Sequence, residues 1–375
     1  MNRNEAVENA VEHFRELLEK QIKREDAMKA GAPATDFSKK DSIVVGLIDG
    51  DGIGPIIMKE AKAVLEELMK DELASGRLVF KEIKGLTIAN RLACGKSVPD
   101  DILAEIKSCD VLLKGPTETP KGGNMESANV TLRRELDLYA NIRPVCIPEE
   151  GIDWTFYREN TEGEYVLGSQ GIDIPDTLAM DFKVTTDSGT RRICRAACEF
   201  AKANGKTHLS IVTKANIMKK TDGKFTALCH EVADNYPGLT VEDYYIDIMT
   251  AKLIDKSIRN KFQVFVLPNL YGDIITDEAA QIQGGVGTAG SANLGDRYAM
   301  FEAIHGTAPQ LIKEGKGDYA NPMSIIKASE MMLRHIGFID KADKLGAAIA
   351  EAGKQDFSDA KSTEISRFIL KSLNK

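Results

Sequence analysis

Residues 42–75 have the sequence SIVVGLIDGDGIGPIIMKEAKAVLEELMKDELAS, in which an apolar strand, a glycine-rich turn and a helix follow one another directly. The strand is a continuous apolar run rich in valine and isoleucine, which is typical of a strand buried on both faces of a sheet. The same order recurs downstream, with strands predicted at 77–83 and 110–116 and a helix between them. Alternating strands and helices predict an α/β fold with a mostly parallel sheet between helices.

The turn GDGIGP, residues 50–55, is similar to the glycine-rich fingerprint of dinucleotide-binding Rossmann domains. That fingerprint has the spacing G-x-G-x-x-G, whereas here the third glycine comes one residue early and Pro55 follows it. Proline is common in the first turn of a helix, so Pro55 fits a plain helix start. We interpret the segment as a strand–helix turn, with a true Rossmann site as the alternative.

The sequence pattern changes along the chain in a way that predicts domain boundaries. The first 30 residues carry charges throughout and repeat apolar residues at helical spacing, which indicates an amphipathic helix for docking or oligomer contact. From about residue 140 strand-like segments with turns replace the strict alternation, and a glycine-rich tract begins after residue 283. We predict a helical extension and linker at 1–41, a large domain from 42–138 and 283–375, and an inserted small domain at 139–282.

Composition and charge exclude several classes of protein. The net charge of −8 gives an acidic surface that repels phosphate backbones, so we expect no nucleic-acid partner. No apolar run approaches the length of a bilayer span, and the charged first residues do not form a secretory signal, so we expect no membrane association. Six cysteines without a C-x-x-C pair predict buried, reduced thiols in a cytoplasmic protein.

Three aspartates predict a site for a hard metal ion. Asp273 and Asp277 lie four residues apart in PNLYGDIITDEAA (268–280), so both project from one face of a predicted helix. Asp247 ends a neighbouring predicted strand in YYIDIMTAK (244–252). Like charges at helical spacing repel one another unless a cation lies between them, and oxygen ligands favour Mg²⁺ or Mn²⁺ over zinc. The alternative is that Asp273 caps the helix and Asp277 is solvated in its first turn.

Clustered arginines indicate an acidic small substrate. SANVTLRRELDLYANIRP (127–144) contains three arginines, and WTFYRENTEGEY (154–165) adds a fourth. The planar guanidinium group binds carboxylates through paired hydrogen bonds. For Arg133 and Arg134 an ion pair with a nearby glutamate is the alternative, and one of the two is expected to point outward because adjacent helix residues do not share a face.

Lys214 is a third candidate, because it follows the apolar strand HLSIV and precedes a polar turn in VTKANIMKKTDG (212–223). A lysine at a strand end inside a cleft can carry protons during catalysis. A solvated surface lysine is the alternative.

Eight motifs together resemble the metal-dependent isocitrate/isopropylmalate dehydrogenase family, and they occur in the order of that family. They are GDGIGP, LKGPTETP, SANVTLRRELDLYANIRP, FYRENTEGEY, TKANIM, NLYGDIITD, GGVGTAGSANLG and FEAIHGTAP. The resemblance extends from residue 43 to about residue 340 and is strongest to isocitrate dehydrogenases. It implies the fold of the family, which is a large α/β domain from both chain ends with a smaller α/β domain inserted, and not a Rossmann fold.

The resemblance also implies a role for each matching residue. In the family the lysine and the first aspartate reach the site from the partner subunit, which implies a homodimer with shared active sites. The implied metal ligands are Asp247, Asp273 and Asp277; the substrate-binding residues are Ser127, Asn129, Arg133, Arg143 and Arg158; the proton-transfer pair is Tyr165 and Lys214; and the cofactor-binding residues are Thr119, Asn216, Glu302, His305, Gly306, Thr307, Ala308, Gln310 and Asn321.

The expected reaction is the oxidative decarboxylation of isocitrate to 2-oxoglutarate and CO₂, with hydride transfer to NAD and with Mg²⁺ or Mn²⁺. Ser127 and Asn129 can bind a third carboxylate, whereas an isopropyl group would leave these polar side chains unsatisfied. Homoisocitrate and 3-isopropylmalate are the alternatives. Glu126 departs from the family pattern, and its charge either disfavours a tricarboxylate or points away.

The choice of nucleotide depends on the residues that follow HGTAP. NADP-using members of the family typically have Lys-Tyr there, whereas this chain has Gln310 and Leu311 and lacks tyrosine in 351–375. Loss of cationic contacts to the 2′-phosphate favours NAD. NADP is the alternative, because Lys313 or Lys316 in the following loop can reach a phosphate.

Overall fold

The computed structural model describes residues 3–31, 33–120, 125–285 and 289–374. Its strands, in chain order, are β1 (Ile43–Ile48), β2 (Leu78–Glu82), β3 (Val111–Lys114), β4 (Ala140–Ile147), β5 (Ile152–Glu159), β6 (Ile172–Ile174), β7 (Leu178–Met180), β8 (His208–Thr213), β9 (Thr240–Tyr245), β10 (Val264–Leu267), β11 (Gly290–Leu294) and β12 (Ala299–Ala303). Its helices are α1 (Arg3–Ala30), α2 (Gly54–Leu68), α3 (Lys70–Ala74), α4 (Ile88–Cys94), α5 (Asp100–Lys107), α6 (Ala128–Glu135), α7 (Asp187–Ala203), α8 (Thr221–Ala233), α9 (Ile246–Ile254), α10 (Asn269–Gln283), α11 (Pro309–Lys313), α12 (Met323–His335), α13 (Ile339–Ala352) and α14 (Ser362–Leu373).

The chain forms two compact units. The large unit consists of Ala34–Ile147 and Thr276–Lys375, and the small unit consists of Met1–Pro33 and Pro148–Ile275. Strand β4 belongs to the large unit because it pairs with β11, whereas the sequence pattern placed residues 139–147 in the inserted domain. Helix α1 belongs to the small unit and is not a separate extension.

The large unit contains a mostly parallel sheet with the strand order β2–β1–β3–β12–β11–β4. β1 is parallel to β2 and β3, and β12 is parallel to β3, whereas β11 is antiparallel to both of its neighbours. The predicted strands at 42–48, 77–83 and 110–116 are confirmed as β1, β2 and β3. β11 was missed because it lies in the glycine-rich tract at 284–295, of which residues 286–288 lie outside the described part.

Strand β1 is buried on both faces, as its continuous apolar run predicts. Val45 and Leu47 lie in a cluster with residues of α2, α12, α13 and α14. Ile48 lies in a second cluster with residues of α5 and α6. Because successive side chains of a strand point to opposite faces, the sheet of the large unit is covered by helices on both sides.

The small unit is built on parallel strands in the order β5–β10–β8–β9. Its centre is aromatic: the rings of Phe156 and Phe265 stack with centroids 4.3 Å apart, and Trp154 packs edge-on against Phe265 at 6.2 Å. The carboxyl ends of parallel strands meet at one edge of a sheet, and polar residues at that edge are suited to bind ligands. Arg158 near the end of β5 and Lys214 directly after β8 lie at this edge.

Helix α1 confirms the predicted amphipathic helix and packs against the small unit of its own chain. Leu17 is 1% exposed and lies with Val166 and Leu167, and the Phe14 ring is 5.4 Å from the ring of Phe182. A second set of apolar residues on the helix is exposed, namely Val7, Val11, Leu18 and Ile22. The expected oligomer contact through this helix stays a prediction.

The structure bears on two expectations from composition, the burial of the cysteines and the absence of a membrane span. Four of the six cysteines are buried, whereas Cys94 and Cys146 are exposed, contrary to the expectation of buried thiols. Within the part of the chain that the structure describes, no helix is both long and apolar enough to cross a bilayer.

Candidate active site

The GDGIGP turn joins β1 to α2 and packs against other loops of the large unit. Gly52 has a φ of 61°, and a Cβ atom there would lie 2.2 Å from the carbonyl oxygen of Thr307. The Asp51 carboxylate accepts hydrogen bonds from the backbone N–H groups of Ile88 and Glu118 at 2.8 and 2.9 Å. The prediction of a structural turn is confirmed, because its glycine and its acid serve contacts within the protein.

A cluster in the small unit brings together three residues that the sequence predicted for three different roles. Tyr165 donates its hydroxyl hydrogen to Asp273 Oδ2 at 2.6 Å, and Arg158 Nη1 donates to Asp273 Oδ1 at the same distance. The Arg158 guanidinium also lies over the Tyr165 ring, 5.4 Å from its centroid. The predicted proton donor, Tyr165, and the predicted substrate-binding residue, Arg158, therefore both bind the carboxylate of the predicted metal ligand, Asp273.

The start of α10 explains how a buried arginine reaches this carboxylate. Arg158 Nε and Nη2 donate to the side-chain oxygen of Asn269 at 3.0 and 2.7 Å, and Nε also donates to its backbone oxygen at 2.9 Å. A Cβ atom at Gly272 would lie only 2.5 Å from Arg158 Cγ, so the glycine makes room for the arginine along the helix. Asn269 was missed by the sequence analysis; its place between Pro268 and the aspartates was the available signal.

Lys214 and Asp247 form a second pair in the small unit. Lys214 Nζ lies 2.5 Å from Asp247 Oδ1 and over the ring of Tyr245. The hydrogen bond from Lys214 lowers the pKa of the Asp247 carboxyl, which therefore stays ionised. The predicted strand through Asp247 is wrong, because β9 ends at Tyr245 and Asp247 lies in the first turn of α9. Lys214 follows β8 directly, as predicted.

In the large unit, Arg143 contacts the third predicted metal ligand. Its Nη1 donates to Asp277 Oδ1 at 2.9 Å and to Thr276 Oγ1 at 2.6 Å. Arg143 is buried, whereas 62% of the Asp277 side chain is exposed. The buried guanidinium of Arg143 thus binds the exposed carboxylate of Asp277, and this carboxylate is available to an incoming cation.

Arg133 belongs to a buried ionic network of the large unit. Its Nη2 donates to Glu302 Oε1 at 3.2 Å, Lys114 Nζ lies 3.2 Å from Glu302 Oε2, and Asn293 donates to Glu302 Oε1 at 2.8 Å. Burial alone would raise the pKa of Glu302, but the charges of Lys114 and Arg133 hold it at about 2. Arg133 Nε is buried and has no hydrogen-bond partner among the described residues, which fits a site for an anionic group.

This network changes the interpretation of two residues. Glu302, predicted to line the cofactor site, is buried and uses both oxygens to hold Lys114, Arg133 and Asn293. Lys114 was missed by the sequence analysis, although it ends an apolar strand before a polar segment, the same signal that marked Lys214. Glu302 holds Arg133 in place, and Lys114 binds the other oxygen of the same carboxylate.

Ser127 and Asn129 lie at the start of α6. Ser127 precedes the helix, and its side chain makes no capping hydrogen bond, while Asn129 accepts a hydrogen bond from the Thr117 hydroxyl at 3.2 Å. The Glu126 carboxylate is bound by both Nη atoms of Arg134 at 2.9 and 2.8 Å, and it accepts a hydrogen bond from the Thr131 hydroxyl at 2.7 Å. The charge of Glu126 is therefore paired with Arg134, and its effect on a tricarboxylate stays a prediction.

The FEAIHGTAP segment forms a loop between β12 and α11. Burial lowers the pKa of His305, and its Nε2 atom is buried without a partner among the described residues. Ala308 has a φ of 44°, a strained value that orients the loop before Pro309. Asn321 lies two residues before the start of α12 and accepts a hydrogen bond from the backbone N–H of Met323 at 2.9 Å. The unsatisfied imidazole nitrogen fits a loop that receives a polar ligand.

Of the remaining predicted cofactor residues, Thr307 is buried, whereas Thr119, Asn216, Gly306 and Gln310 are exposed. Gly306, Thr119 and Asn216 lie at the surface of their own units. Gln310 donates to Glu314 at 2.7 Å, and Lys316 pairs with the same carboxylate at 3.0 Å. Lys316, one of the two lysines named as alternative contacts for a 2′-phosphate, is therefore paired with Glu314, and the role of Lys313 stays a prediction.

The three predicted metal ligands lie on two helices, Asp247 on α9 and Asp273 and Asp277 on α10. Over the described residues, no group of three or more His, Cys, Asp or Glu side chains is placed to hold a metal ion. Asp273 and Asp277 lie one turn apart on α10, while Asp247 pairs with Lys214 on other elements. The donors are carboxylate oxygens, which fit Mg²⁺ or Mn²⁺. The convergence of Asp247 with the other two across a dimer stays a prediction.

Hard oxygen ligands next to carboxylate-binding arginines, on parallel α/β scaffolds, are the arrangement expected of a metal-dependent enzyme for acidic substrates. The sequence matches the isocitrate/isopropylmalate dehydrogenase family over residues 44–364, and the chain belongs to that family. The predicted family and its fold are thereby confirmed.

Individual relatives are named isocitrate dehydrogenase. The chain is 40% identical to the isocitrate dehydrogenase (NADP) of Rickettsia felis over 319 residues, which cover 83% of this chain and 62% of the relative. It is 35% identical to the mitochondrial isocitrate dehydrogenase (NAD) subunit 2 of Schizosaccharomyces pombe, over 81% of this chain and 79% of the relative. The crystal structure of isocitrate dehydrogenase from Methylococcus capsulatus aligns with a TM-score of 0.77 and 31% identity, over 89% of this chain and 100% of that one. The chain thus spans about three fifths of the Rickettsia relative.

Proposed function

We propose that the protein catalyses the oxidative decarboxylation of isocitrate to 2-oxoglutarate and CO₂, with NAD as hydride acceptor and Mg²⁺ or Mn²⁺ as metal. The contact of Tyr165 and Arg158 with Asp273 carries this proposal, because it joins a proton donor and a substrate-binding group to a metal-type carboxylate. The relatives named isocitrate dehydrogenase support the substrate, and the family supports a nicotinamide cofactor.

Each residue of the chain has a physical task in this reaction. When bound, the divalent cation supplies Lewis-acid polarisation of the substrate hydroxyl and carboxylate, and the nicotinamide accepts the hydride. Lys214 takes the proton of the hydroxyl group, and Tyr165 delivers a proton to the carbon that loses CO₂. Arg133, Arg143 and Arg158 bind the substrate carboxylates and orient the C–H bond that is broken.

The metal would be held by Asp273 and Asp277 of one chain and by Asp247 of a second copy. This division explains why Asp247 pairs with Lys214 in a single chain, and it makes a homodimer part of the proposal. Isocitrate is favoured over isopropylmalate because Ser127 and Asn129 are polar, and because the Glu126 charge is bound by Arg134.

The proposed substrate is tested by comparing isocitrate, homoisocitrate and 3-isopropylmalate at equal concentration with Mg²⁺. We expect the highest kcat/KM for isocitrate and loss of activity in EDTA. A higher value for 3-isopropylmalate favours the alternative substrate, and full activity in EDTA removes the metal from the proposal.

The proposed base is tested with Lys214→Ala, which is expected to lower kcat by about 10²- to 10⁴-fold. Lys219→Ala is the matched control, because Lys219 is an exposed lysine of the same segment. Unchanged turnover in Lys214→Ala contradicts the assignment.

The proposed preference for NAD rests on Gln310 and Glu314. A carboxylate that binds Gln310 and neutralises Lys316 disfavours a 2′-phosphate nearby. We expect a higher kcat/KM with NAD than with NADP, and a shift toward NADP in the double variant Gln310→Lys, Leu311→Tyr. A clear wild-type preference for NADP contradicts this part of the proposal and leaves the substrate untouched.

A further inference from the structure

We infer that Arg24, on helix α1, is a positioning residue that holds the segment 159–165 and thereby the side chains of Arg158 and Tyr165. Helix α1 precedes residues 44–364, over which the chain matches its family, so nothing in the family match assigns this role. The part of its test that measures turnover of isocitrate rests on the proposed function.

Arg24 binds the segment directly. Its Nη1 donates to Glu162 Oε1 at 3.0 Å, and its Nη2 donates to Thr161 Oγ1 at 3.2 Å. Glu162 is almost fully buried, and the Arg24 side chain is 20% exposed, so the ion pair is largely shielded from water. Shielding makes such a pair costly to break, because the carboxylate would stay buried without its counter-ion.

The segment is folded around two buried carboxylates. Glu159 accepts hydrogen bonds from the backbone N–H groups of Thr161 and Glu162 at 2.9 and 2.7 Å. Glu162 in turn accepts from the backbone N–H of Thr186 at 2.9 Å and contacts the hydroxyl of the same residue. Two adjacent buried acids need positive charge nearby to remain ionised.

Few charged groups surround this pair of acids. Helix α1 contributes Arg24 and Glu25, and Glu25 is bound to Ser188. Helix α7 contributes Arg192, which donates to Thr161 at 3.1 Å. Arg24 thus donates a hydrogen bond directly to one of the two carboxylates.

The position of the segment links this contact to the candidate active site. Arg158 immediately precedes Glu159, and Tyr165 lies three residues beyond Glu162. Helix α1 contacts the chain again after Tyr165, where Leu17 packs with Val166 and Leu167. The helix therefore holds the segment on both sides of Tyr165.

A charge-based role has a pH signature that a packing role lacks. Burial and the neighbouring Glu162 raise the pKa of Glu159 to about 7, and Arg24 opposes this increase. Without Arg24 the folded state becomes less favourable wherever Glu159 is ionised. The loss of stability in Arg24→Met is therefore expected to grow as pH rises from about 5 to about 8.

The experiment compares the wild type with Arg24→Met, Arg24→Lys and Arg15→Met in the full chain. Arg15 is the matched control, because it lies on the same helix in an exposed ion pair with Glu12. In Arg24→Met we expect kcat with isocitrate to fall about tenfold, with partial recovery in Arg24→Lys, which keeps the charge. We expect the deficit in melting temperature to increase by about 4 °C between the two pH values.

Hydrogen exchange at amides 159–167 separates this inference from the proposed function. Exchange that is about tenfold faster in Arg24→Met than in Arg15→Met supports the positioning role even if isocitrate proves not to be the substrate. The inference is overturned if exchange is equal in the two variants and the deficit in melting temperature of Arg24→Met does not change with pH. This conclusion holds whatever activity the variants show. If Arg24→Met does not fold, hydrogen exchange is compared between Arg24→Lys and Arg15→Met. We expect faster exchange at amides 159–167 in Arg24→Lys than in Arg15→Met. Equal exchange in the two variants would refute the positioning role.

Discussion

One arginine–carboxylate pair in each unit has the same chemistry and different surroundings. In the small unit Arg158 binds Asp273, whose side chain is 38% exposed, and in the large unit Arg133 binds Glu302, whose side chain is 7% exposed. An exposed carboxylate can exchange an arginine for a cation, because water and the new ligand replace the lost contact. A buried carboxylate cannot be removed without leaving buried charges uncompensated. Asp273 is therefore suited to bind a ligand, and Glu302 to hold the framework of the site.

The strongest test of this difference is Glu302→Ala. The substitution leaves the buried Lys114 ammonium and the Arg133 guanidinium without their shared partner. We expect the free energy of unfolding to fall by about 3–5 kcal/mol, measured by urea denaturation at neutral pH. A loss below about 1 kcal/mol would show that the network is not a framework.

A matched double variant tests the cause. Replacing Glu302 by leucine and Lys114 by methionine removes two opposite charges together, so we expect much of the stability to return. If the double variant is as unstable as Glu302→Ala, lost packing and not uncompensated charge explains the first result.

The pH dependence of the two units provides the next test. Glu302, with a pKa of about 2, stays ionised at every pH used for assay, whereas Glu159 has a pKa of about 7 in the folded chain and an ordinary value near 4.5. As pH rises through this interval, the unfolded chain releases the Glu159 proton first. The contribution of Glu159 to stability is thus present below about pH 4.5 and is lost as pH rises through 7.

We expect Glu159 to lower the free energy of unfolding by roughly 3 kcal/mol as the pH rises through the interval between its unfolded and folded pKa values. Glu159→Gln cannot ionise, so the difference in stability between it and the wild type should change with pH in the same interval. Urea denaturation of both proteins at several pH values measures this change. A constant difference would mean that the pKa of Glu159 is the same in the folded and the unfolded chain.

Local signals explain which parts of the fold could be predicted from the sequence. The apolar run of β1, the glycine turn after it and the helical spacing of α1 lie in adjacent residues, and each was predicted correctly. Asp247 was placed on a strand because YYIDIM is rich in aromatic and branched residues, which favour strands. In the structure the chain turns into α9 at Ile246, because tertiary contacts override this weak preference.

Pairings between distant residues explain which parts of the site could not be predicted. The family resemblance identified Arg133 and Glu302 individually, but the contact of Glu302 with Lys114 depends on β3 and β12 lying side by side. Arg24 and Glu162 are 138 residues apart and carry no motif in common. Such contacts follow from packing, which a single sequence does not reveal.

The smallest expected change in stability is that of Asp273→Asn. Asparagine keeps the shape of the side chain, and Arg158 keeps its hydrogen bonds to Asn269, so we expect a loss of about 1 kcal/mol or less without metal. Mg²⁺ with isocitrate should raise the melting temperature of the wild type, because a ligand at 100 times its Kd adds about 2.7 kcal/mol. Thermal denaturation with and without Mg²⁺ should show this increase absent in Asp273→Asn and kept in Asp101→Asn, an exposed acid of α5. If Asp273→Asn keeps the full increase, Asp273 is not a metal ligand, and both arginine pairs are structural.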